Sequence, residues 1–144
     1  MSYKKFRDEY PKEIVDEIYL RYDSTQRYVY RAIEHSEEIN SSDFVPTFIS
    51  ELNSDNFVPK FLFTPALTFG KCSMSVFTDL EKLKNVVNSS KNVLMQRITG
   101  YAFGSTNSEK GVWTAPNSKS HIDYFLFDWE NNNPSGDFEI CEKR

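Results

Sequence analysis

The chain has few of the residues that build the familiar metal and redox sites. It contains two cysteines and two histidines in 144 residues. Cys72, Cys141, His35 and His121 show no spacing typical of a zinc site, such as C-x-x-C or H-x-x-x-H. We therefore expect no metal site, and two free thiols in a reducing compartment.

The chain is also poor in glycine, with five residues. It has no glycine-rich phosphate loop and no dinucleotide-binding fingerprint. The G-x-S-x-G elbow of serine hydrolases is missing as well, because the residues before Ser75 read Gly70-Lys71-Cys72-Ser73-Met74. This pattern argues against a hydrolase in which Ser73 or Ser75 is a nucleophile paired with His121.

Charge and hydropathy exclude further classes of protein. The formal net charge is −4, and the basic residues are scattered, so nucleic-acid binding is not favoured. The N-terminus lacks the apolar core of a signal peptide, and no apolar run reaches the length of a membrane span. We expect a soluble cytoplasmic protein that forms one domain over residues 1–144.

Aromatic residues are abundant, with 12 Phe and 8 Tyr. They predict a core built on aromatic rings. The high content of Asn, Lys, Phe, Tyr and Ile also resembles the products of AT-rich bacterial or phage genomes. This composition bears on the source of the chain and not on its chemistry.

The most regular stretch is 73–87, which predicts a strand followed directly by a helix. Met74 and Val76 alternate with Ser73, Ser75 and Phe77, as in a strand. Thr78 and Glu81 match the S/T-x-x-E capping box, which predicts a helix that begins at Asp79. An apolar stripe along this helix must pack on a sheet or on another helix, and it comprises Leu80, Leu83, Val86 and Val87.

The other elements predict an α+β fold with a twisted, largely antiparallel sheet, on which an N-terminal helix and the central capped helix pack. A helix is expected from Pro11 to about Tyr22, and a second, short one capped by Ser42. Strands are expected over Arg27–Ile33, Val93–Phe103 with a bend at Gly100, Val112–Thr114, His121–Phe127 and Asp137–Cys141. Phe57–Phe63 should be extended, and whether residues 53–70 form a mobile lid or a fixed wall stays open.

Arg31 is the most unusual residue of the predicted sheet, because it lies between Val29 and Ile33 on an apolar strand face. Its guanidinium needs a carboxylate or an anionic ligand to offset desolvation. An ion pair with Glu139 or Asp123 is the favoured interpretation, and a clamp for a phosphate or carboxylate is the alternative.

His121 and Asp123 lie two residues apart on one strand face. A carboxylate beside an imidazole can hold its tautomer, as a general base requires. Residues at this spacing are about 6 to 7 Å apart at their Cα atoms, so contact is not automatic. A structural histidine is therefore the favoured interpretation.

Two resemblances to known families follow from the order of residues. Tyr30-Arg31, Asp43-Phe44, Ser75-Val76-Phe77 with Glu81, and a late His121 resemble the order in a family of small uncharacterised bacterial proteins. That likeness implies a shared fold and no known activity.

The second resemblance is to the Arg-Ser-Glu type of ADP-ribosyltransferase. It implies that Arg31 holds NAD, that Ser73 or Ser75 supports the nicotinamide end, and that Glu139 stabilises the charge developing on the ribose, with Arg31, Ser73 and Tyr30 as the cofactor-binding residues. The chain departs from that family at Asp137, where a Glu or Gln is usual.

Two functions are therefore in competition. The first is a non-catalytic binding or regulatory module, such as an accessory or inhibitor protein of a bacterial or phage conflict system, that acts through a protein partner and needs no cofactor. The second is an NAD-dependent transferase or toxin. The two differ in geometry, because the transferase needs Arg31, Ser75 and Glu139 in one cleft, whereas a binding module needs an exposed apolar or acidic patch.

Overall fold

The computed structural model describes residues 6–52 and 69–144. In this part of the chain, the helices are α1 (Lys12–Arg21), α2 (Thr47–Leu52), α3 (Leu80–Ser89) and the single turn α4 (Val93–Gln96). Short 3-10 turns occur at Ser41–Asp43, Gly70–Cys72 and Pro134–Asp137. The predicted N-terminal helix is confirmed, with Pro11 immediately before its first residue, where proline costs no hydrogen bond.

The strands form one open antiparallel sheet. They are β1 (Tyr22–Asp23), β2 (Tyr28–Ile33), β3 (Met74–Phe77), β4 (Gly100–Ser105), β5 (Gly111–Thr114), β6 (His121–Leu126) and β7 (Phe138–Lys143). Their spatial order is β1-β5-β6-β3-β2-β4-β7, so β1 and β7 are the edges. The mixed α+β class and the antiparallel sheet predicted from sequence are confirmed.

The sheet has a cluster of buried apolar side chains on each face. The larger cluster includes Val29 and Ile33 of β2, Val76 of β3 and Ile18 of α1. The smaller cluster joins Phe77 and Tyr101 to Leu83 and Val87 of α3. Alternation along β2 therefore places Tyr30 and Ala32 toward α3.

The aromatic core is confirmed too, since Phe44, Tyr101, Tyr124 and Phe125 are among the largest fully buried side chains. Ile122, Tyr124 and Leu126, which share one face of β6, are fully buried.

The predicted capping box at Thr78 is wrong. The residue that caps α3 is Asp79, whose side chain accepts a hydrogen bond from the Lys82 N–H at 3.1 Å. Thr78 cannot take that place in a reciprocal box, because its own N–H already donates to the Ser120 carbonyl at 3.0 Å. The helix itself begins one residue later than predicted.

Two other boundaries also differ from the predictions. Ser42 does not cap a helix; it lies in the 3-10 turn that Asn40 caps, and α2 begins at Thr47. The predicted strand over Val93–Phe103 is a helical turn followed by β4, with the irregularity between Tyr101 and Ala102 instead of at Gly100. The predicted extended stretch Phe57–Phe63 lies outside the described residues.

Candidate functional site

The site begins where β2 and β3 separate. The two strands pair only at Tyr30 and Phe77, whereas β3 pairs with β6 along its whole length. Beyond that pair, groups other than the β2 backbone donate to the carbonyls of Ser73, just before β3, and of Ser75. Thr47 donates to the Ser73 carbonyl from its N–H and its hydroxyl, each at 2.9 Å. The start of α2 thus enters the gap that opens between β2 and β3 beyond Tyr30 and Phe77, which we call the fork.

Arg31 fills the rest of this fork. Its Nη1 donates to the Ser75 carbonyl at 2.7 Å, and its Nε donates to the Asp43 carbonyl at 2.9 Å. The guanidinium therefore replaces the missing ladder bonds between β2 and β3. Burial lowers the pKa of Arg31 to about 10, while Asp43 and then Glu34 act in the opposite direction, so the group stays charged at neutral pH.

The predicted ion pair of Arg31 with Glu139 or Asp123 is wrong. The hydrogen-bond partners of Arg31 among the described residues are two backbone carbonyls, and the carboxylates that influence its charge belong to Asp43 and Glu34.

Asp43 is a residue of the candidate site that the sequence interpretation missed as a partner of Arg31. Its buried carboxylate accepts hydrogen bonds from the Glu34 N–H at 3.0 Å and from the His35 N–H at 3.1 Å, and it also contacts His35 Nδ1 at 3.0 Å. These contacts tie the 3-10 turn to the end of β2. The signal in the sequence was an acid in a turn beside an apolar pair, which is too common to single it out.

Ser75 and His121 are brought together by the pairing of β3 with β6. The Oγ of Ser75 lies 3.0 Å from Nε2 of His121. His121 is directly opposite Phe77, and their rings meet edge to face at 5.2 Å between centroids. Burial lowers the pKa of His121, and Asp123 opposes this shift, so the neutral imidazole is the main form at pH 7.

Asp123 and Ser73 lie beside this pair. The Oδ1 of Asp123 accepts a hydrogen bond from the Ser73 hydroxyl at 2.8 Å and lies 3.7 Å from His121 Nε2. Asp123 is therefore near the nitrogen that faces Ser75, and not near Nδ1 as in a serine protease triad. Ser73 is fully buried, and its Oγ also lies 2.8 Å from the Gly70 carbonyl oxygen, so its single hydrogen serves either Asp123 or Gly70.

A cleft of about 310 Å³ opens over these groups, between the fork and the helices α3 and α4. Its size is typical of small-ligand sites. The polar residues of its lining are Arg31, Glu34, Ser42, Asp43, Thr47, Ser50, Ser75 and His121. The apolar residues of its lining are Ala32, Phe77, Leu83, Val86, Val87, Met95 and Ile98.

Two residues of the predicted transferase site lie elsewhere. Glu139 is exposed on the edge strand β7, and it lines a separate depression together with Tyr28 and Phe103. Tyr30 and Arg31 are adjacent on β2, so their side chains leave the strand on opposite faces of the sheet. Arg31, Ser75 and Glu139 therefore do not converge on one cleft.

Glu139 and Tyr30 instead belong to one cross-strand row on the α3 side of the sheet. The register places His121, Phe77, Tyr30, Phe103 and Glu139 opposite one another on five successive strands. Tyr28 extends this row outward, because its ring is stacked on Phe103 at 6.0 Å between centroids. We call Tyr28, Tyr30 and Phe103 the aromatic patch.

Within residues 6–52 and 69–144, no cluster of His, Cys, Asp or Glu is arranged to hold a metal ion, and no helix is long and apolar enough to cross a membrane. No protein-family model matches the chain, and neither the curated proteins nor the solved structures contain a match. The likeness to small bacterial proteins and to ADP-ribosyltransferases therefore stays a prediction.

Proposed function

We propose that the protein is a small cytoplasmic binding or regulatory module that docks a protein partner on the aromatic patch. The observation that carries this proposal is the exposure of Tyr28, whose side chain is 73% exposed on an otherwise well-packed sheet. An exposed tyrosine supported by a second ring is the kind of residue that anchors protein interfaces.

The surroundings of the patch favour a partner of defined chemistry. Tyr30 and Phe103 are partly buried, with ring centroids 5.0 Å apart, so they offer a rigid apolar surface. Glu139 stands directly opposite Phe103 and forms no ion pair with another described residue. We infer that the partner presents an apolar side chain to the rings and a basic residue to Glu139. A role as an accessory or inhibitor protein of a bacterial or phage conflict system is consistent with such an interface.

The test is capture of the partner from a lysate of the organism that encodes the chain, with immobilised wild-type protein and variants. We expect Tyr28→Ala to weaken binding of the captured protein about tenfold or more, as is usual for a central interface tyrosine. Glu139→Lys should weaken it as well, with a reduced dependence on salt concentration.

Leu20→Ala is the matched control, because Leu20 is also an exposed large apolar residue, at 86%, and lies on α1. Equal loss in Leu20→Ala and Tyr28→Ala would contradict the assignment to the aromatic patch. The transferase alternative gives a different result: calorimetry would show heat of NAD binding that Arg31→Ala abolishes, and turnover that Glu139→Ala abolishes.

A further inference from the structure

We propose that the cleft is a second, separate site for acyl transfer, in which Ser75 is the nucleophile, His121 is the base and Arg31 stabilises the developing negative charge. The substrates would be small carboxylic esters with an apolar acyl group. This inference does not depend on the aromatic patch, because no residue of the patch lines the cleft, and Tyr28 and Phe103 line a different depression.

The first step of the argument is the distance between nucleophile and base. Ser75 Oγ and His121 Nε2 are 3.0 Å apart, within the range at which an imidazole accepts a hydroxyl proton. Because burial favours the neutral imidazole, His121 has the charge state that a base requires. Asp123 is a positioning residue: its carboxylate, 3.7 Å from Nε2, stabilises the imidazolium once it has formed.

The second step is the position of a fixed cation. The two bonds of Arg31 to the Ser75 and Asp43 carbonyls fix its guanidinium at the backbone of the residue that carries the nucleophile. Nη2 forms no hydrogen bond with any described residue, and Arg31 lines the cleft. A preorganised cation in a partly buried site stabilises an oxyanion much better than a solvated cation does.

The third step is the apolar part of the cleft lining. Leu83, Val86 and Val87 of α3, with Met95 and Ile98, line the same cleft as Ser75. A cleft of about 310 Å³ accommodates a small ester, and this apolar part favours an alkyl or aryl acyl group over a charged one.

The reaction balances without an added oxidant or metal. Ser75 Oγ forms a bond to the ester carbonyl carbon while His121 Nε2 takes the hydroxyl proton. The bond from that carbon to the alcohol oxygen breaks, its electron pair stays on the oxygen, and His121 returns the proton to it. Water then attacks the acyl-serine and gives a proton to His121. The bond to Ser75 Oγ breaks, Oγ recovers the proton, and the carboxylic acid leaves.

The test uses the full chain with phenylmethanesulfonyl fluoride and with p-nitrophenyl butyrate. The sulfonyl fluoride forms a sulfur–oxygen bond to an activated serine and releases fluoride. We expect one label per chain, located on Ser75 by peptide mass spectrometry, and release of nitrophenolate from the ester. Ser75→Ala should lose both the labelling and the ester hydrolysis. His121→Gln retains a hydrogen-bonding group but no base, and it should slow both reactions by about 10² or more.

Ser89→Ala is the control, since Ser89 lies on α3 outside the cleft. It should retain labelling and turnover. Absence of a label on Ser75 in the folded wild-type chain would overturn the proposal, whatever the variants do. Equal labelling of wild type and His121→Gln, with unchanged unfolding midpoints, would overturn it too, because Ser75 would then react without its base.

Discussion

At the scale of the residue, Arg31 has a structural role that its charge alone does not suggest. A strand that leaves its neighbour exposes backbone carbonyls, and a buried carbonyl without a donor costs about 1–3 kcal/mol. Arg31 supplies donors to the carbonyls of Ser75 and Asp43, which belong to two different segments. The side chain thus holds the fork in a defined shape and positions the backbone of Ser75.

This role predicts a large loss of stability in Arg31→Ala. We expect the free energy of unfolding to fall by about 2–5 kcal/mol, because two carbonyls lose their donors together. Urea unfolding followed by tryptophan fluorescence measures the change. Arg31→Lys is the control and should lose less, since an ammonium replaces one bond but cannot span both carbonyls. A loss within about 0.5 kcal/mol for Arg31→Ala would show that the fork does not need the guanidinium.

The sequence predicts the identity of the unusual residues better than their partners. Arg31 was identified because it interrupts an apolar strand face, and His121 because it shares a face with Asp123. Their partners are 44 and 46 positions away along the chain, so no local pattern joins either of them to Ser75. Those contacts exist because β3 pairs with β6 and separates from β2. The properties of single residues do not predict these two strand arrangements.

At the scale of the element, the start of α3 shows how a sequence motif can match one residue too early. Thr78 and Glu81 fit the capping box, but Asp79 is an equally good cap and its backbone is extended, with φ −126° and ψ 117°. Asp79 is free to cap because Thr78 remains bonded to Ser120 at the end of the preceding strand.

The corrected cap predicts that Asp79→Ala costs about 0.5–2 kcal/mol of stability, since the Lys82 N–H loses its acceptor at the positive end of the helix. Thermal or urea unfolding measures the loss. Thr78→Ala is the matched control and should change stability by less than about 0.5 kcal/mol. A larger loss of stability in Thr78→Ala than in Asp79→Ala would show that Thr78 caps the helix.

The stretch before β4 shows a different limit of prediction. An apolar run from Val93 is compatible with a strand or with a helix, because periodicity does not distinguish short runs. The strand begins at Gly100, where the chain passes so close to β7 that a Cβ would lie 2.8 Å from the Glu142 carbonyl oxygen and from Ser36 Cβ. This close approach is tertiary, so the sequence indicated a special glycine but not its reason.

At the scale of the whole molecule, the open sheet places two distinct surfaces on one face. Helices α3 and α4 cover the part of the face around Ala32 and Tyr101 and form one wall of the cleft. The rings of Tyr28 and Phe103 lie beyond this cover, toward the edge strand β7. This arrangement follows from strand order and helix length, and the sequence predicts the antiparallel sheet but not the order of its strands.

The dependence of stability on pH follows from groups in separate parts of the molecule. Burial lowers the pKa of His121, despite the opposing charge of Asp123. A hydrogen bond from Arg7 lowers the pKa of Glu9, and hydrogen bonds from Asn131 lower that of Asp128. Each of these groups binds its proton more tightly in the unfolded chain. Protonation therefore favours unfolding in every case, and stability falls as the pH falls.

The two kinds of group should act in different pH ranges, which predicts two steps. The first step begins below pH 6.5, the ordinary pKa of histidine, where His121 takes up a proton in the unfolded chain but not in the folded one. The second begins below about 4.5, where the carboxylates of Glu9 and Asp128 are protonated on unfolding. Urea midpoints measured from pH 8 to pH 3 follow both. His121→Gln should remove the first step and leave the second, whereas His35→Gln should keep the His121 step. A first step that persists in His121→Gln would mean that the imidazole beside Ser75 is not held neutral by its burial, which would also remove one support for its role as a base.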